Sequence, residues 1–422
     1  MTGAASGAAG GASSPASEEA RLRFEGQEDG STRVELELQH EARTVSRLRI
    51  IPYTIRVGVA EVRMDGIGDV ATDRDFRQRG YARRMLIGAV AHMKRGQAAI
   101  SMLYGIPNFY PKFGYATAGP DHLIHLLEIG GEVSVPSGWT VRPFVPTDLP
   151  ALQRLYEWNV AHAVGSAVRE VSSAVWSKLT PAPGPTGVEG ASPPVEACRV
   201  VVAPDGRLAA YAWRRGTDVW YAEWMEREDS EAAVFAEVMA DGPTAADAVL
   251  AVCRAWTAEE AAERSQPLKR ATLGLPPEGP VASAAMLQDA QLERRYAASG
   301  GSMVRVLDQG RLLRALAPEL SRRVRAAGVR RTARLTLETE EGAATLFITP
   351  EGVTVLDGDA KVADEILRVR LPQPVMGQLA LGAYPPEDLL ARLEAPPSGE
   401  ARELLQVLFP LRSPHMHFPD RY

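Results

Sequence analysis

The sequence predicts an α/β (α+β) fold in which mixed central sheets are flanked by helices, and three patterns support this prediction. Residues 21–65 alternate apolar and polar side chains, as in VELEL at 34–38, which is typical of antiparallel strands with one solvated face. Residues 66–95 have the pattern of a strand, a turn and a helix. Residues 308–409 have that of a helix, three strands and three shorter helices. At 422 residues the chain is expected to form two or three domains.

The composition argues against several kinds of partner. The net charge of −6 disfavours nucleic acid or an anionic membrane as the main partner and mildly favours a cationic substrate. No apolar run reaches transmembrane length. Residues 1–20 are rich in Ala, Gly and Ser without the features of a signal peptide, so we expect a disordered tail there. Cys198 and Cys253 are isolated, which favours reduced thiols in a cytoplasmic protein.

The stretch GIGDVATDRDFRQRGYA, residues 66–82, carries the clearest functional signal. Residues 67–72 indicate a strand, and RQRGYA at 77–82 fits the pattern Arg/Gln-x-x-Gly-x-Gly/Ala. One face of the helix that follows is apolar, with Ala82, Met85, Leu86, Ala89, Val90 and Met93. The N–H groups at the start of a helix attract anions, and Gly80 lets phosphate oxygens approach the backbone where a Cβ would intrude. We therefore predict a diphosphate cradle formed by residues 77–82.

About thirty residues further on, YPKFGY at 110–115 matches the pattern Tyr-x-x-Phe-Gly-Phe/Tyr. With these two motifs in this order, the chain resembles the GNAT acetyltransferases, which hold acetyl-CoA and use no metal in this role. The resemblance implies that the backbone of Val70 and Thr72 pairs with the pantetheine arm and that an amide of the strand stabilises the oxyanion. It implies the following CoA-binding residues: Val70, Ala71, Thr72, Arg77, Gln78, Arg79, Gly80, Tyr81 and Ala82. Asn108 either contacts the CoA arm or only forms a turn.

Three domains are predicted, at 21–135, 136–298 and 299–422. The middle one repeats the order strands, helix, strand without either motif, so we interpret it as a degenerate GNAT copy; a helix at 244–263 and strands near 219–226 and 234–239 are expected there. Asp148 is the expected N-cap of a helix that follows it. The third domain resembles the sterol carrier protein type 2 fold. The strand and two helices that usually open a GNAT domain and wall its acceptor pocket are not recognisable, so another part of the chain would fill that role.

Together the three domains resemble the enhanced-intracellular-survival (Eis-type) acetyltransferases. That resemblance implies a homo-oligomer, a hexamer by analogy with the family, and transfer to a primary amine: a lysine side chain, a polyamine or an aminoglycoside-like compound. It also implies that Tyr110 is the general acid and that the terminal carboxylate of Tyr422, on a non-helical tail reaching the active site, is the base. Glu128 and Asp69 are alternative bases. An apolar-ligand carrier and a non-catalytic CoA-binding regulatory protein remain alternative functions.

The histidines are predicted to be structural. His122 and His125 are three residues apart on a predicted strand and would face opposite sides, so they do not form a metal site. His415 and His417 would share a face of an extended tail, but no Cys or carboxylate lies at ligand spacing beside them. We expect these two side chains to pack locally near the C-terminus.

Overall fold

The computed structural model describes residues 20–39, 42–106, 108–130, 134–179, 196–214, 219–263, 268–296, 301–357, 366–397 and 399–422. The predicted tail therefore lies outside the described residues, apart from Ala20. The strands are β1 (Ala20–Gly26), β2 (Thr32–Leu38), β3 (Arg43–Val57), β4 (Ala60–Thr72), β5 (Ile100–Gly105), β6 (Ala116–Thr117), β7 (Asp121–Leu126), β8 (Thr140–Pro143), β9 (Val164–Ala167), β10 (Cys198–Val202), β11 (Leu208–Trp213), β12 (Ala232–Phe235), β13 (Glu237–Ala240), β14 (Arg270–Gly274), β15 (Gln291–Arg295), β16 (Gly301–Val306), β17 (Ala333–Thr339), β18 (Gly342–Thr349), β19 (Gly352–Asp357) and β20 (Ile366–Arg370).

The α-helices are α1 (Tyr81–Arg95), α2 (Leu149–Val160), α3 (Trp220–Glu228), α4 (Pro243–Glu263), α5 (Pro280–Leu287), α6 (Gln309–Ala326), α7 (Gln373–Leu381), α8 (Pro386–Leu390) and α9 (Gly399–Leu408). Short 3-10 helices lie at Arg74–Phe76, Tyr110–Phe113, Pro146–Asp148, Ala174–Leu179 and Phe418–Asp420. Among the described residues, no helix is both long enough and apolar enough to span a bilayer. The alternation of strands and helices confirms the predicted α/β fold class.

Contacts divide the chain into two compact units, one of residues 1–51 and 67–92 and one of residues 52–66 and 93–422. In the first unit, β1 and β2 form an antiparallel hairpin, and β2 continues onto β3 with a bulge after Leu36. The face of α1 predicted to be apolar is buried at Met85, Leu86, Ala89 and Val90. The described residues before Thr72 form strands and turns and no helix.

In the second unit, β5 and β6 pair with a strand that comes much later in the sequence. β16 pairs antiparallel with β5, from Gly301 opposite Gly105 to Val306 opposite Ile100, and it also pairs with the two-residue strand β6. β7 instead pairs with β14 and β15 in another sheet. β6 and β7 therefore do not pair with each other, because β16 occupies the position beside β6.

These pairings cross the predicted domain limits. β7 belongs to the segment 21–135 but hydrogen-bonds to strands of the segment 136–298, whereas β16 belongs to the segment 299–422 but hydrogen-bonds to strands of the first. The first segment thus gives β7 to a sheet of the middle segment and receives β16 from the C-terminal segment. The domain limits remain a prediction.

The middle segment agrees with most of the expected elements and differs at two. The helix α4 is confirmed, and β10 and β11 form an antiparallel hairpin. The predicted strand near 219–226 is wrong: α3 occupies it, and Tyr221, Ala222 and Met225 are buried at helical spacing. Asp148 precedes α2, but its side chain accepts the N–H of Val145 at 2.9 Å and pairs with Arg142 instead of capping α2.

The C-terminal segment is an antiparallel meander with one parallel edge, packed against helices. Its sheet has the order β19-β18-β17-β20, in which β17 and β20 are parallel. The apolar face of α6 is fully buried at Leu312, Leu313, Leu316, Leu320 and Val324. Asp308 caps α6, since its carboxylate accepts the N–H of Arg311 at 2.7 Å. The predicted order of helix, three strands and three helices is confirmed, with β20 in addition.

Candidate functional site

The predicted diphosphate cradle is an exposed turn at the start of α1. The carbonyl of Gly80 accepts the N–H of Arg84 at 3.0 Å, which makes Gly80 the N-cap residue of the helix. The amides of Ala82 and Arg83 lie in the first turn, where amides have no acceptor within the helix. The first turn contains no acidic residue that would compete with a bound anion.

Gly80 is needed at this turn for its conformation. Its φ is +81°, a value that side-chain-bearing residues rarely adopt, and a Cβ built on it would meet nothing within 4 Å. The space around this Cβ position is therefore open. The neighbouring Gln78 also has a positive φ of 63°, which is strained backbone at a predicted binding residue. The Nε of Arg77 donates to the carbonyl of Thr72 at 3.2 Å and so links the turn to the end of β4.

The strand residues Val70 and Ala71 border an open cavity of about 600 Å³. Asp69, with φ +54°, interrupts the regular strand just before them. The carbonyl of Ala71 accepts from Ser46 Oγ at 3.0 Å, so this carbonyl and that of Thr72 already have partners. The cavity is lined by Arg33, Glu35, Arg47, Leu48, Arg49, Asp69, Val70 and Ala71. Of the strand residues expected to contact pantetheine, Val70 and Ala71 thus line a cavity, and all these roles remain predictions.

In the second unit, Tyr110 begins the 3-10 helix of the second motif and is half-buried. Its ring lies edge-on to Phe109 and to Tyr115, with centroids 5.1 and 6.3 Å apart, and a Cβ built on Gly105 would collide with it. Desolvation raises the pKa of the Tyr110 phenol, so the group keeps its proton at neutral pH. Within the described part of the chain its hydroxyl makes no hydrogen bond. Asn108 lies in the exposed turn before it.

The C-terminal Tyr422 is packed among aromatic side chains of β3 and β5. Its ring stacks on that of Tyr53, with centroids 5.3 Å apart, and meets Tyr104 edge-on at 5.8 Å. Its hydroxyl donates to the carbonyl of Met102 at 3.1 Å, and burial raises the pKa of this phenol well above its usual value. Gly66 of β4 leaves the room that the ring occupies.

A buried ion network holds Asp420, two residues before the terminus. The Nε and Nη2 of Arg169 contact the Asp420 carboxylate at 2.9 and 2.8 Å, and Arg169 also binds Glu237 with contacts of 3.0 and 2.6 Å. The side chains of Arg169, Glu237 and Asp420 are at most 1% exposed. Tyr211 donates to Glu237 at 2.7 Å, so both carboxylates are hydrogen-bonded. Charges this deeply buried are tolerated only when they are paired.

A second pair holds the next residue. Arg421 Nη1 lies 2.9 Å from Asp121, and its guanidinium sits 4.0 Å from the centroid of Tyr221. Tyr53 donates to the carbonyl of Asp420 and Trp220 to that of Arg421, at 3.0 and 3.1 Å. The last three residues are therefore bound through side chains, and the two before Tyr422 also through their carbonyls. The tail is irregular as predicted, except for the 3-10 turn at Phe418–Asp420.

The histidines pack in the interior near this tail. His415 and His417 lie with ring centroids 4.9 Å apart, and His122 is 6.4 Å from His415. Desolvation lowers the pKa of His417 to about 3 and that of His122 to about 4, so these rings are neutral. His125 contacts Thr272 and Glu293 instead. No group of three or more metal-ligating side chains occurs among the described residues.

The alternative bases differ in their surroundings. Glu128 is exposed, and Asp69 is exposed and lies 3.6 Å from Arg49. Sequence reasoning overlooked Asp65, which is half-buried in β4 next to Gly66. Desolvation raises its pKa to about 6, although the charge of Arg311 opposes this shift. The sequence does contain a signal for it, since an acid between Met64 and the apolar end of β4 is unusual in a buried strand.

Comparison with known proteins adds an independent observation: residues 13–118 match the family model described as acetyltransferase (GNAT) domain. The chain carries a GNAT acetyltransferase domain. The predicted enzyme class, an acetyltransferase of the GNAT type, is confirmed by this domain. No curated protein matches the chain in sequence.

Solved structures resemble nearly the whole chain, including the GNAT domain. A conserved protein of unknown function from Enterococcus faecalis V583, called a probable N-acyltransferase, has a TM-score of 0.67 at 15% identity, covering 96% of this chain and all of that one. A GCN5-related N-acetyltransferase from Kribbella flavida has a TM-score of 0.62 at 17% identity, covering 92% and 87%. Eis1 from Mycobacterium abscessus has 0.56 at 15% identity, covering 92% and 90%. At such identities the likeness establishes a shared fold.

Proposed function

We propose that this protein is an N-acetyltransferase that moves the acetyl group of acetyl-CoA directly to a primary amine. The observation that carries the proposal is the exposed turn at the start of α1, within the segment that matches the GNAT domain, where the space around the Cβ position of Gly80 is open. Diphosphate is the anion that this geometry suits, because several N–H groups and the helix dipole act on it together. Acetyl-CoA carries such a diphosphate, so it is the proposed cosubstrate, and no metal is required.

Acetyl transfer to an amine requires a deprotonated amine, a stabilised oxyanion and a protonated thiolate. An amide of the strand 70–72 is the proposed oxyanion donor. Tyr110 is the proposed acid, and two features support this role: its phenol stays protonated, and its hydroxyl has no partner among the described residues. An ordinary phenol has a pKa about 1.5 units above that of a thiol, so it can protonate a thiolate at modest cost.

The base is the more demanding part of the proposal. A terminal carboxylate differs from a lysine-like amine by about 7 pKa units, or roughly 9 kcal/mol for full proton transfer. The Tyr422 carboxylate can therefore act only if its pKa is raised, if that of the amine is lowered, or if transfer accompanies bond formation. The tight packing of residues 420–422 supports a role that needs a fixed terminus. Asp65 is the rival base, since its pKa of about 6 lies closer to that of an amine.

The finer parts of the proposal rest on the resemblance to Eis-type proteins, which the likeness to Eis1 supports at the level of fold. The proposed acceptor is a lysine side chain, a polyamine or an aminoglycoside-like compound. The proposed location is the cytoplasm, and the proposed assembly is a homo-oligomer of six subunits by analogy. The finer parts also include a sterol-carrier-like C-terminal module. We propose that this module packs its own core and supports the catalytic site, instead of carrying a lipid.

Release of CoA from acetyl-CoA, measured with a panel of amines, tests the proposed function. Turnover with any amine would support it, whereas CoA binding without turnover would favour a regulatory CoA-binding protein, and neither binding nor turnover would favour an apolar-ligand carrier. Adding one glycine after Tyr422 and, separately, Asp65→Asn would distinguish the two bases. Full activity of the extended chain would exclude the terminal carboxylate.

A further inference from the structure

The loop that carries Tyr110 ends at Gly114, whose surroundings differ from those of an ordinary turn. Its φ is +80°, and a Cβ built on it would collide with Arg305 Nη1 and lie 2.8 Å from Gln373 Nε2. Glycine is thus required at position 114 for two reasons: the backbone conformation and the close approach of two hydrogen-bond donors. Both donors come from the C-terminal part of the chain.

Gln373 is the better fixed of the two donors. It is the first residue of α7 and only 4% exposed. Its Oε1 accepts the N–H of Val306 at 2.7 Å, and its own N–H donates to Glu340 at 2.8 Å. Because the oxygen of the amide faces Val306, its nitrogen faces the loop, where Nε2 donates to the carbonyl of Gly114.

Arg305 of β16 holds the preceding carbonyl. Its Nη1 donates to the carbonyl of Phe113, and its Nη2 pairs with Glu341 at 2.7 Å. Glu341 in turn pairs with Lys94 at 2.5 Å, and its side chain is only 8% exposed. The last two carbonyls of the loop are therefore held by side chains that are themselves fixed by further bonds.

We propose that Gln373, assisted by Arg305, is a positioning residue for Tyr110, so that the C-terminal module forms part of the catalytic apparatus. This inference rests on the proposed role of Tyr110 as general acid. The loop is short, because only three residues lie between Tyr110 and Gly114. A 3-10 turn of this length has no long regular ladder of its own, so its orientation depends on the bonds at its end.

Three variants test the inference. Gln373→Glu keeps the acceptor for Val306 but replaces the donor to Gly114 with an oxygen, and Gln373→Met keeps the length without adding a buried charge. Gln378→Ala is the matched control, because Gln378 lies on the same helix and its Nε2 donates to the carbonyl of Thr117 at 3.1 Å, beyond the motif. Melting temperature reports whether each variant folds.

We expect both Gln373 variants to lower kcat about ten- to a hundredfold, since small displacements of a reacting group have effects of this size. The KM for acetyl-CoA should stay within about twofold of its original value. The alkaline limb of the kcat profile should move to lower pH, because a loosened loop hydrates the Tyr110 phenol and removes the cause of its raised pKa. Gln378→Ala should change neither quantity.

Unchanged kcat and an unchanged alkaline limb in a folded Gln373 variant would overturn the inference. Equal losses in the Gln373 variants and in Gln378→Ala would also overturn it, because they would indicate general damage to the module. Failure of the unaltered protein to acetylate any amine would be a different result. It would refute the proposed function, and the inference with it.

Discussion

The ring of Tyr422 occupies the space that a side chain on Gly66 would fill. A Cβ built on Gly66 would lie 2.6 Å from Cε2 of that ring, closer than any van der Waals contact allows. The strand β4 and the C-terminal residue are therefore fitted to each other across the sequence. Glycine at this position is explained by space, since its φ lies outside the left-handed region.

Gly66→Ala should displace the Tyr422 ring. We expect a loss of unfolding free energy of about 1–3 kcal/mol, the usual cost of overpacking, and a fall in turnover at unchanged CoA affinity. Gly26→Ala is a suitable control, because a Cβ there meets nothing within 4 Å. Urea unfolding and amine-dependent CoA release measure the two effects. Equal behaviour of the two variants would contradict the fit between Gly66 and Tyr422.

Gly80→Asp should weaken CoA binding at least about tenfold, because it adds a negative charge in front of the first-turn amides of α1. Gly206→Asp is the matched control: Gly206 has φ +82° and open space around its Cβ position, almost the same as Gly80. The backbone strain is therefore common to both variants. Isothermal titration calorimetry with CoA should show weaker binding for Gly80→Asp than for Gly206→Asp. Similar affinities of the two variants would argue against a diphosphate site at residue 80.

Asp420→Ala should release the tail. Removing one member of a buried ion network costs up to about 3 kcal/mol, because Arg169 then loses a partner in a dry environment. Glu231→Gln breaks an exposed pair with Lys269, whose side chains are 61% and 45% exposed for Lys269 and Glu231, and should cost less than about 1 kcal/mol. Thermal unfolding of the two variants compares these losses of unfolding free energy. A small effect at Asp420 would mean that the terminus is held mainly by other contacts.

The buried histidines should make the tail sensitive to acid. Burial, with the charge of Arg169 nearby, lowers the pKa of His417 to about 3 from an ordinary value near 6.5. A lowered folded pKa gives stability that is present above 6.5 and is lost as pH falls from 6.5 towards 3, at up to about 1.4 kcal/mol per pH unit. His417→Gln should flatten this dependence between pH 6 and 4 in urea titrations. An unchanged slope would exclude His417 as its source.

The elements that sequence reasoning predicted well are those with local signals. The apolar face of α1, the face of α6 and the glycine of the cradle follow from periodicity and from backbone geometry, which neighbouring residues encode. The aromatic residues at 220–224 are typical of a strand, since aromatic side chains favour strands on average, whereas tertiary packing here selects a helix.

The sequence alone does not predict which residues far apart in the chain contact each other. An alternating pattern tells which face of a strand is buried but does not name its neighbours, so it does not predict that β7 pairs with β14 or that β16 pairs with β5. The same holds for Gln373 and Gly114, which are 259 positions apart. Neither Asp65 nor Arg169 lies in a sequence motif, so the surroundings of each side chain follow only from the fold.

The central claim is that acetyl-CoA held at residues 77–82 gives its acetyl group to an amine with Tyr110 as acid. Its most direct test is mass spectrometry of the amine after incubation with isotope-labelled acetyl-CoA, for the unaltered protein, Tyr110→Phe and Gly80→Asp. The account predicts labelled product with the unaltered protein, at least about a hundredfold slower formation with Tyr110→Phe at similar CoA affinity, and none with Gly80→Asp. Absence of labelled product with every amine, despite tight CoA binding, would contradict it.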